Sequence, residues 1–321
     1  MTIIGFHASH EQVHPAELLR AVQDAERAGF DAAMCSDHLA PWSARQGHSG
    51  FAWAWLGAAL ATTSLPFGVV NAPGQRYHPA VVAQAAATLA AMFPGRFWVA
   101  LGSGENSNEH VTGDPWPVKE VRDARLVEAV EVIRRLLAGE EVTHHGLVTV
   151  DRARVWTLPP DPPALIGPAV TAATAARAAT WADGLITINQ PAPVLREIVA
   201  AYRDNGGRGP LAVQVHLSWH EDAREAEAIA YDQWRSNVFP PPVCWDLATP
   251  EHFDVAASHV RPEDVAQAVM ISSDLARHAE YLAGLVDLGF EQAYLHHVGR
   301  EQGPFVQAFG EAVLPQLRGA A

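Results

Sequence analysis

The chain has 321 residues, 49% of them apolar and 18% charged, which excludes a disordered polypeptide and suits one large α/β domain or two ordinary ones. Its 36 acidic and 22 basic side chains give a net charge of −14 without a basic run, so nucleic acid and anionic membranes are poor partners. Two cysteines are too few for a disulfide framework. Because the sequence shows neither a long apolar stretch nor an export signal, no membrane span is expected and a cytoplasmic protein is predicted.

Short apolar runs alternate with amphipathic stretches along the chain. The predicted strands are Thr2–Ala8, Asp31–Ser36, Leu65–Val70, Phe97–Leu101, Ala164–Ile166, Gly184–Ile188, Leu211–Trp219 and Gln292–His297. The predicted helices are Pro15–Ala28, Phe51–Thr62, Pro79–Met92, Val118–Ala138, Thr171–Trp181, Pro193–Asp204, Ala223–Val238, Leu275–Leu288 and Pro304–Leu317. Two segments interrupt the alternation: Glu141–Leu158 after the fourth helix, predicted as a hairpin, and a Pro-rich loop, Phe239–Pro250, with a polar segment to Pro262.

Eight β/α units without an internal linker favour one closed (β/α)8 TIM barrel over residues 1–321, with insertions after helix 4 and near strands 7 and 8. An open sheet with an inserted lobe is the alternative. In a barrel, functional residues lie at the carboxyl ends of the strands. Ionisable residues and glycines gather in those positions and not on the helices, which favours an enzyme. The segments concerned are Ser9–Gln12, Ser36–His38, Asn71–His78, Gly102–Glu109, Gly167–Pro168 and His296–Arg300.

Several of these segments together resemble the bacterial-luciferase-like superfamily, and within it the branch containing coenzyme F420-dependent glucose-6-phosphate dehydrogenase. The resemblance covers nearly the whole chain. It implies a TIM barrel, usually a homodimer, that holds a flavin or deazaflavin at the strand ends. The segments that carry it are Ala8–Gln12, Ser36–Trp42, Arg76–Pro79, Gly102–Glu105, Asn108–Glu109, Ala182–Gly184 and His297–Phe305.

The resemblance implies roles for four residues near the reacting atoms. His38 resembles the base that takes the substrate hydroxyl proton, and Asp37 resembles its neighbour at the cofactor ring; an Asp–His pair that only stabilises the barrel mouth is the alternative. Glu105 resembles the acid that protonates the ring nitrogen. Trp42 resembles an aromatic residue beside the reacting site, although packing would explain a tryptophan there equally well.

Other residues resemble cofactor contacts. Val70-Asn71 corresponds to a bulge where the family carries a non-prolyl cis peptide behind the ring. Asn108 resembles a ring or ribityl contact, with a helix cap as the alternative. Gly167, Pro168, Ala169, Val170 and Thr171 resemble the loop that binds the cofactor phosphate through backbone N–H groups, with a plain strand–helix turn as the alternative.

The chain also departs from the branch it resembles. The sugar-phosphate dehydrogenase holds its substrate phosphate with two lysines, and these positions align near Pro191 and Gln267, leaving Arg300 as the rim cation there. Glucose 6-phosphate is therefore not expected as the substrate. An acidic chain offers little to the glutamate tail of F420, and Phe67–Gly104 resembles a related branch that is expected to use FMN, so FMN is slightly preferred over F420. Hydride transfer or monooxygenation of a small organic substrate is predicted.

Competing sites have weaker support. The adjacent imidazoles of His144-His145 and of His296-His297 are expected to point in opposite directions, so neither pair should chelate a metal. His216 and His220 have i,i+4 spacing but start on a strand, and no HExxH motif is present, so structural roles and no metal are predicted for all six histidines. The spacing of His7 and His10 does not fit an amidohydrolase. An aldolase would need a lysine at the rim, and Lys119, the single lysine, is predicted on a helix far from it. A catalytically silent ligand-binding barrel of the same fold is the remaining alternative.

Overall fold

The structure, a computed structural model, describes residues 2–319. Its strands, numbered in chain order, are β1 (Ile3–Ala8), β2 (Ala32–Ser36), β3 (Phe67–Asn71), β4 (Phe97–Leu101), β5 (Val142–His145), β6 (Thr149–Ala153), β7 (Ala164–Pro168), β8 (Gly184–Ile188), β9 (Leu211–Ser218), β10 (Met270–Ile271) and β11 (Gln292–His297). Its α-helices are α1 (Pro15–Ala28), α2 (Ala52–Thr62), α3 (Pro79–Met92), α4 (Asn106–Glu109), α5 (Lys119–Leu137), α6 (Ala172–Ala178), α7 (Ala192–Asp204), α8 (Ala223–Trp234), α9 (Val243–Asp246), α10 (Pro250–Ala257), α11 (Pro262–Val265), α12 (Leu275–Asp287), α13 (Gln302–Ala308) and α14 (Leu314–Gly319).

Eight parallel strands close into a barrel, which confirms the predicted fold. The order around the barrel is β1-β2-β3-β4-β7-β8-β9-β11, and β11 pairs again with β1. Both insertions lie where they were predicted. The antiparallel hairpin β5–β6 follows α5, and the residues between β9 and β11 carry β10, which pairs with the end of β9. Within residues 2–319, no helix is long and apolar enough to cross a membrane.

The main departures from the predicted elements lie in the second insertion and at the last helix. The polar segment before Pro262 contains α10, which Thr249 caps through its side chain and which has Pro250 in its first turn. That start signal stands in the sequence and was missed. The terminal helix begins at Gln302 and widens into a π-turn over Phe309–Val313, where Gly310 packs against Ala28.

The predicted bulge and cis peptide at Val70-Asn71 were wrong. Val70 pairs with Ala100 and Asn71 with Leu101, so β3 keeps an unbroken parallel register with β4 and has no extra residue to form a bulge. Among the described residues the cis peptide bond is Pro241-Pro242.

Aromatic side chains fill the amino-terminal end of the barrel. Trp98 and Tyr294 point inward with their ring centroids 5.8 Å apart, in a cluster to which all eight strands contribute. Each ring lies over a glycine of the neighbouring strand, Trp98 over Gly68 and Tyr294 over Gly5. Since this end is filled, a ligand can enter only from the carboxyl ends of the strands.

Replacing Gly68 by alanine should destabilise the protein, because the added Cβ would lie 1.9 Å from an atom of the Trp98 ring. We expect a loss of about 1–3 kcal/mol in the free energy of unfolding, measured by denaturant titration. Gly57→Ala in α2 is the matched control, since nothing lies within 4 Å of the added Cβ and it should be neutral or stabilising. Unfolding of Gly68→Ala at the wild-type midpoint would contradict this account.

Candidate active site

A cavity of about 930 Å³ opens at the carboxyl ends of the barrel strands. Its size is that of a small-molecule or cofactor site. The loops after β1 to β4, β7 and β8 form one side of the cavity. The end of α8 and the second insertion form the other side, where Trp234, Phe239, Pro240 and Pro241 present apolar surface.

His38 lies between two carboxyl groups at the mouth of this cavity. Its Nδ1 lies 2.7 Å from Oε1 of Glu11, and its Nε2 lies 3.9 Å from Oε2 of Glu105. Both carboxyl groups border the cavity, but the Glu11 side chain is only 4% exposed whereas that of Glu105 is 25% exposed. One ring nitrogen is therefore held by a buried carboxylate while the other faces an acid across the cavity. Glu11 belongs to a segment noted in the sequence, but no role was predicted for it.

Burial and this pairing shift the three groups differently. Burial would raise the pKa of Glu11, but the imidazole of His38 outweighs it and lowers that pKa to about 2. Burial would lower the pKa of His38, yet the Glu11 carboxylate raises that pKa above its usual value. For Glu105, burial raises the pKa to about 7, because His38 is too far away to reverse it. At neutral pH Glu11 is thus ionised while Glu105 can still carry a proton.

Asp37 is fixed by a buried polar network beside the cavity. One carboxylate oxygen accepts a hydrogen bond from Asn71 Nδ2 at 2.9 Å and from Arg76 NH2 at 3.3 Å. Arg76 also donates to the Asp37 carbonyl at 2.7 Å and lies within 3.8 Å of Glu109. Asp37 therefore holds Asn71 and Arg76 rather than His38. Arg76 and Glu109 lie in segments that the sequence places at the strand ends, but no role was predicted for either, because their convergence depends on tertiary structure.

Asn108 and Trp42 both line the cavity. Asn108 accepts a hydrogen bond from the Leu39 N–H at 2.8 Å and donates to Glu105 at 3.4 Å. It is not a helix cap, because Glu105 occupies the N-cap position of α4. Trp42 packs edge-on against His38, with ring centroids 5.3 Å apart, and against Phe253 at the same distance.

Some residues of the loop after β7 line the cavity, whereas others only support the fold. Pro168, Ala169 and Val170 line the cavity. Gly167 does not, because its missing Cβ faces Ala178 of α6 at 2.6 Å, so this glycine allows close packing of helix and strand. Thr171 caps α6 by accepting a hydrogen bond from Thr174 N–H at 3.2 Å, and Thr174 lines the cavity in its place.

Neutral histidines form the cavity floor. His296 Nε2 lies 2.8 Å from Gln12 Oε1, while the Gln214 amide nitrogen lies 3.1 Å from His296 Nδ1 and 3.2 Å from His216 Nε2. The Gln12 oxygen must accept, so Nε2 of His296 carries the proton and Nδ1 accepts from Gln214. Burial lowers the pKa of His216 to about 3, which keeps it uncharged.

The predicted structural role of His216 and His296 is thus incomplete, since both face the cavity. The expectation that adjacent imidazoles point in opposite directions is confirmed, because His297 stacks on Phe305 outside the barrel, at 5.0 Å.

Two expectations about cations need correction. Lys119 is not far from the rim: it is the first residue of α5 and lines the cavity. Arg300 does not line it, because its guanidinium donates to the Gln46 carbonyl at 3.3 Å. Pro191 and Gln267 line the cavity and are uncharged, as the sequence comparison indicated.

Asp246 attaches the second insertion to the loop after β4. Its carboxylate accepts a hydrogen bond from Trp116 Nε1 at 2.9 Å and lies 3.8 Å from the Arg122 guanidinium. Its carbonyl accepts a hydrogen bond from Asn106 Nδ2 at 3.0 Å. The segment around α9 is therefore held over the cavity mouth next to Glu105.

The residues present fit a flat, hydrogen-bonding ring. Asn71 lines the cavity, and its Oδ1 is buried without a hydrogen-bond partner among the described residues. An N–H or O–H group of a bound ring system would satisfy that oxygen. Gly102 and Gly104 form the adjacent wall, and Gly104 has a φ of +84°, which glycine adopts readily.

Comparison with known proteins gives the same family. The sequence profile of the luciferase-like monooxygenase family matches residues 2–292. The F420-dependent glucose-6-phosphate dehydrogenase of Nakamurella multipartita is 36% identical, over 98% of this chain and 96% of the relative. The F420-dependent hydroxymycolic acid dehydrogenase of Mycobacterium tuberculosis is 33% identical, over 98% of this chain and 88% of the relative. An F420-dependent secondary alcohol dehydrogenase solved with an F420–acetone adduct superposes with a TM-score of 0.91 at 30% identity, over 99% of both chains.

These findings correct two expectations. The preference for FMN is not supported, because the relatives at 30–36% identity are named as F420-dependent enzymes. A riboflavin lyase solved with modified FMN and two monooxygenases resemble this chain at under 20% identity, which shows the fold alone. The exclusion of glucose 6-phosphate is not supported either, because relatives at 36% identity are named as dehydrogenases of that sugar. The chain is an oxidoreductase and belongs to the luciferase-like monooxygenase family.

Proposed function

We propose that the protein is a coenzyme F420-dependent dehydrogenase that oxidises an alcohol to a carbonyl compound. The observation that carries the proposal is the arrangement of His38, with Nδ1 against ionised Glu11 and Nε2 facing Glu105 across 3.9 Å. It provides a base and an acid on two sides of one reacting centre. The cofactor assignment is supported by the F420-dependent relatives at 30–36% identity.

When bound, coenzyme F420 supplies the hydride acceptor. Nε2 of His38 takes the hydroxyl proton of the alcohol while its carbinol carbon loses the hydride, and Glu11 stabilises the imidazolium that results. Glu105, which can hold a proton near neutrality, would be the group that supplies a proton to the ring nitrogen. The hydride and the proton lost by the alcohol would then match the hydride and the proton needed to reduce F420. Asn71 and Asn108, fixed through Asp37 and Glu105, are suited to orient the ring.

The substrate class follows from chemistry common to the relatives. The relatives are named for their action on glucose 6-phosphate, on a hydroxymycolic acid and on a secondary alcohol. Each of these compounds has a carbon that bears both a hydrogen and a hydroxyl group. Trp234, Val238 and Phe239 line the substrate side of the cavity here, and they favour an alcohol with an apolar portion beside that carbon.

The first test is which cofactor binds. We expect the purified protein to bind coenzyme F420 with a dissociation constant below about 100 µM, and FMN or FAD far more weakly, in a fluorescence and absorbance titration. Addition of secondary alcohols or glucose 6-phosphate should then reduce bound F420, followed by loss of its fluorescence. Tighter binding of FMN with oxygen consumption would favour a monooxygenase, and binding without any turnover would favour a silent barrel.

His38→Ala should abolish turnover and leave cofactor binding largely intact, because His38 acts on the substrate hydroxyl. We expect kcat to fall by about 100- to 10,000-fold, the contribution typical of general bases. The Kd for F420, measured by titration of the same preparation, should change little. Comparable losses in affinity and in kcat would show that His38 only stabilises the barrel mouth.

Glu11→Gln should move the acid limb of the pH profile. Alcohol oxidation needs neutral His38 and protonated Glu105, so kcat/KM should fall at low pH as His38 gains a proton and fall again above about pH 7 as Glu105 loses one. Removing the Glu11 charge lowers the pKa of His38, so the acid limb should shift to lower pH. Glu128→Gln removes the same charge from an exterior contact with His144 at 2.9 Å and should leave the profile unchanged. An unmoved acid limb in Glu11→Gln would contradict the role of this pair.

A further inference from the structure

Positive charge is concentrated at the rim between β4 and β7, where the proposed reaction does not use it. Lys119 lines the cavity there, with Nζ 3.2 Å from Ser103 Oγ. Arg177 reaches back along α6 to lie 3.3 Å from Thr174 Oγ1, and Thr174 lines the cavity. Both cations contact a single carboxylate, Asp123. Two cations sharing one anion leave one positive charge in excess, in a chain whose net charge is −14.

Lys119 is unfavourably placed for folding. It is the first residue of the 19-residue helix α5, where the helix dipole repels a cation. The preceding residue, Val118, provides no side-chain hydrogen bond to the first amide groups of this helix. Burial also lowers the pKa of Lys119. An anion at this position would stabilise both the lysine and the uncapped helix end, so an anionic ligand accounts for all three observations.

We propose that Lys119 and Arg177 bind the glutamyl carboxylates of the coenzyme F420 tail where the tail leaves the cavity. This inference rests on the proposed function. Beyond its ring, F420 carries a phosphodiester and then a chain of glutamates, each with a carboxylate.

The order of the residues matches the order of those groups. Asn71 lies at the ring position, and Pro168 to Val170 lie at the loop predicted to hold the phosphate. Thr174 comes next along α6, and Arg177 is one turn further on, with 49% of its side chain exposed. A tail leaving past Thr174 reaches Arg177 and Lys119 at the surface. Lys119 and Arg177 thus provide local positive charge for the carboxylates of the tail, although the chain as a whole is acidic.

Three forms of the deazaflavin separate the parts of the ligand: the riboflavin-like alcohol without phosphate, the phospholactyl form without glutamate, and the form with several glutamates. Their dissociation constants are measured by fluorescence titration at low salt. We expect Lys119→Gln and Arg177→Gln each to weaken the polyglutamyl form about fivefold, as for a partly exposed ion pair, and to leave the other two forms unchanged. Arg27→Gln, at the opposite end of the barrel, is the control for net charge and should change none of them.

Asp123→Asn provides a test of opposite sign. Because Asp123 pairs with both cations and offsets one of their two positive charges, its removal should tighten binding of the polyglutamyl form and leave the riboflavin-like form unaffected. A result of this sign cannot arise from misfolding, which would weaken binding of every form.

Three results would overturn the inference alone, and a fourth would overturn the proposed function with it. Equal weakening of all three forms would make Lys119 and Arg177 structural residues, and equal weakening of the two phosphorylated forms would assign them to the phosphate instead. If the wild type binds none of the forms, the proposed function itself fails. If all variants bind all forms as the wild type does, the tail site alone is wrong.

Discussion

Closure of eight strands into a barrel is the constraint on which the site depends. Alternate residues of each strand must point inward, and the interior is too narrow to be left empty. At the amino-terminal end, Trp98 and Tyr294 fill it above Gly68 and Gly5. One layer higher, the same alternation brings inward polar side chains, among them His296, which form the floor of the cavity. The alternation of inward and outward side chains along the strands therefore determines both the packing of the core and the geometry of the site.

Within the cavity, environment gives identical side chains different tasks. Glu11 and Glu105 both lose hydration, which by itself would raise the pKa of each. Glu11 has an imidazole nitrogen at 2.7 Å and stays ionised, whereas Glu105 has its nearest one at 3.9 Å and can hold a proton near neutrality. About one ångström of separation from His38 therefore decides which carboxyl group stays ionised and which one can hold a proton near neutral pH.

Most of the barrel could be predicted from the sequence, because its strands are short apolar runs separated by amphipathic helices with clear caps, such as Pro15 and Gly29 around α1. The positions of His38 and Glu105 followed from the motifs after β2 and β4. The contacts of Arg76 with Asp37 and Glu109 could not be predicted, since they join three loops and no spacing encodes them. Lys119 was misjudged because a helix start that follows a long loop can lie at the rim. The choice of FMN came from the resemblance of Phe67–Gly104 to a related branch and from net charge, an average that hides local clusters.

The attachment of Asp246 has a mechanical consequence. The segment that covers the cavity is bonded to Asn106, the residue next to Glu105, and to Trp116 further along the same loop. Any outward swing of that segment large enough to let a molecule pass must break the bond to Asn106 and free the backbone beside the acid. Opening of the cavity on this side is thus mechanically linked to the position of the Glu105 side chain.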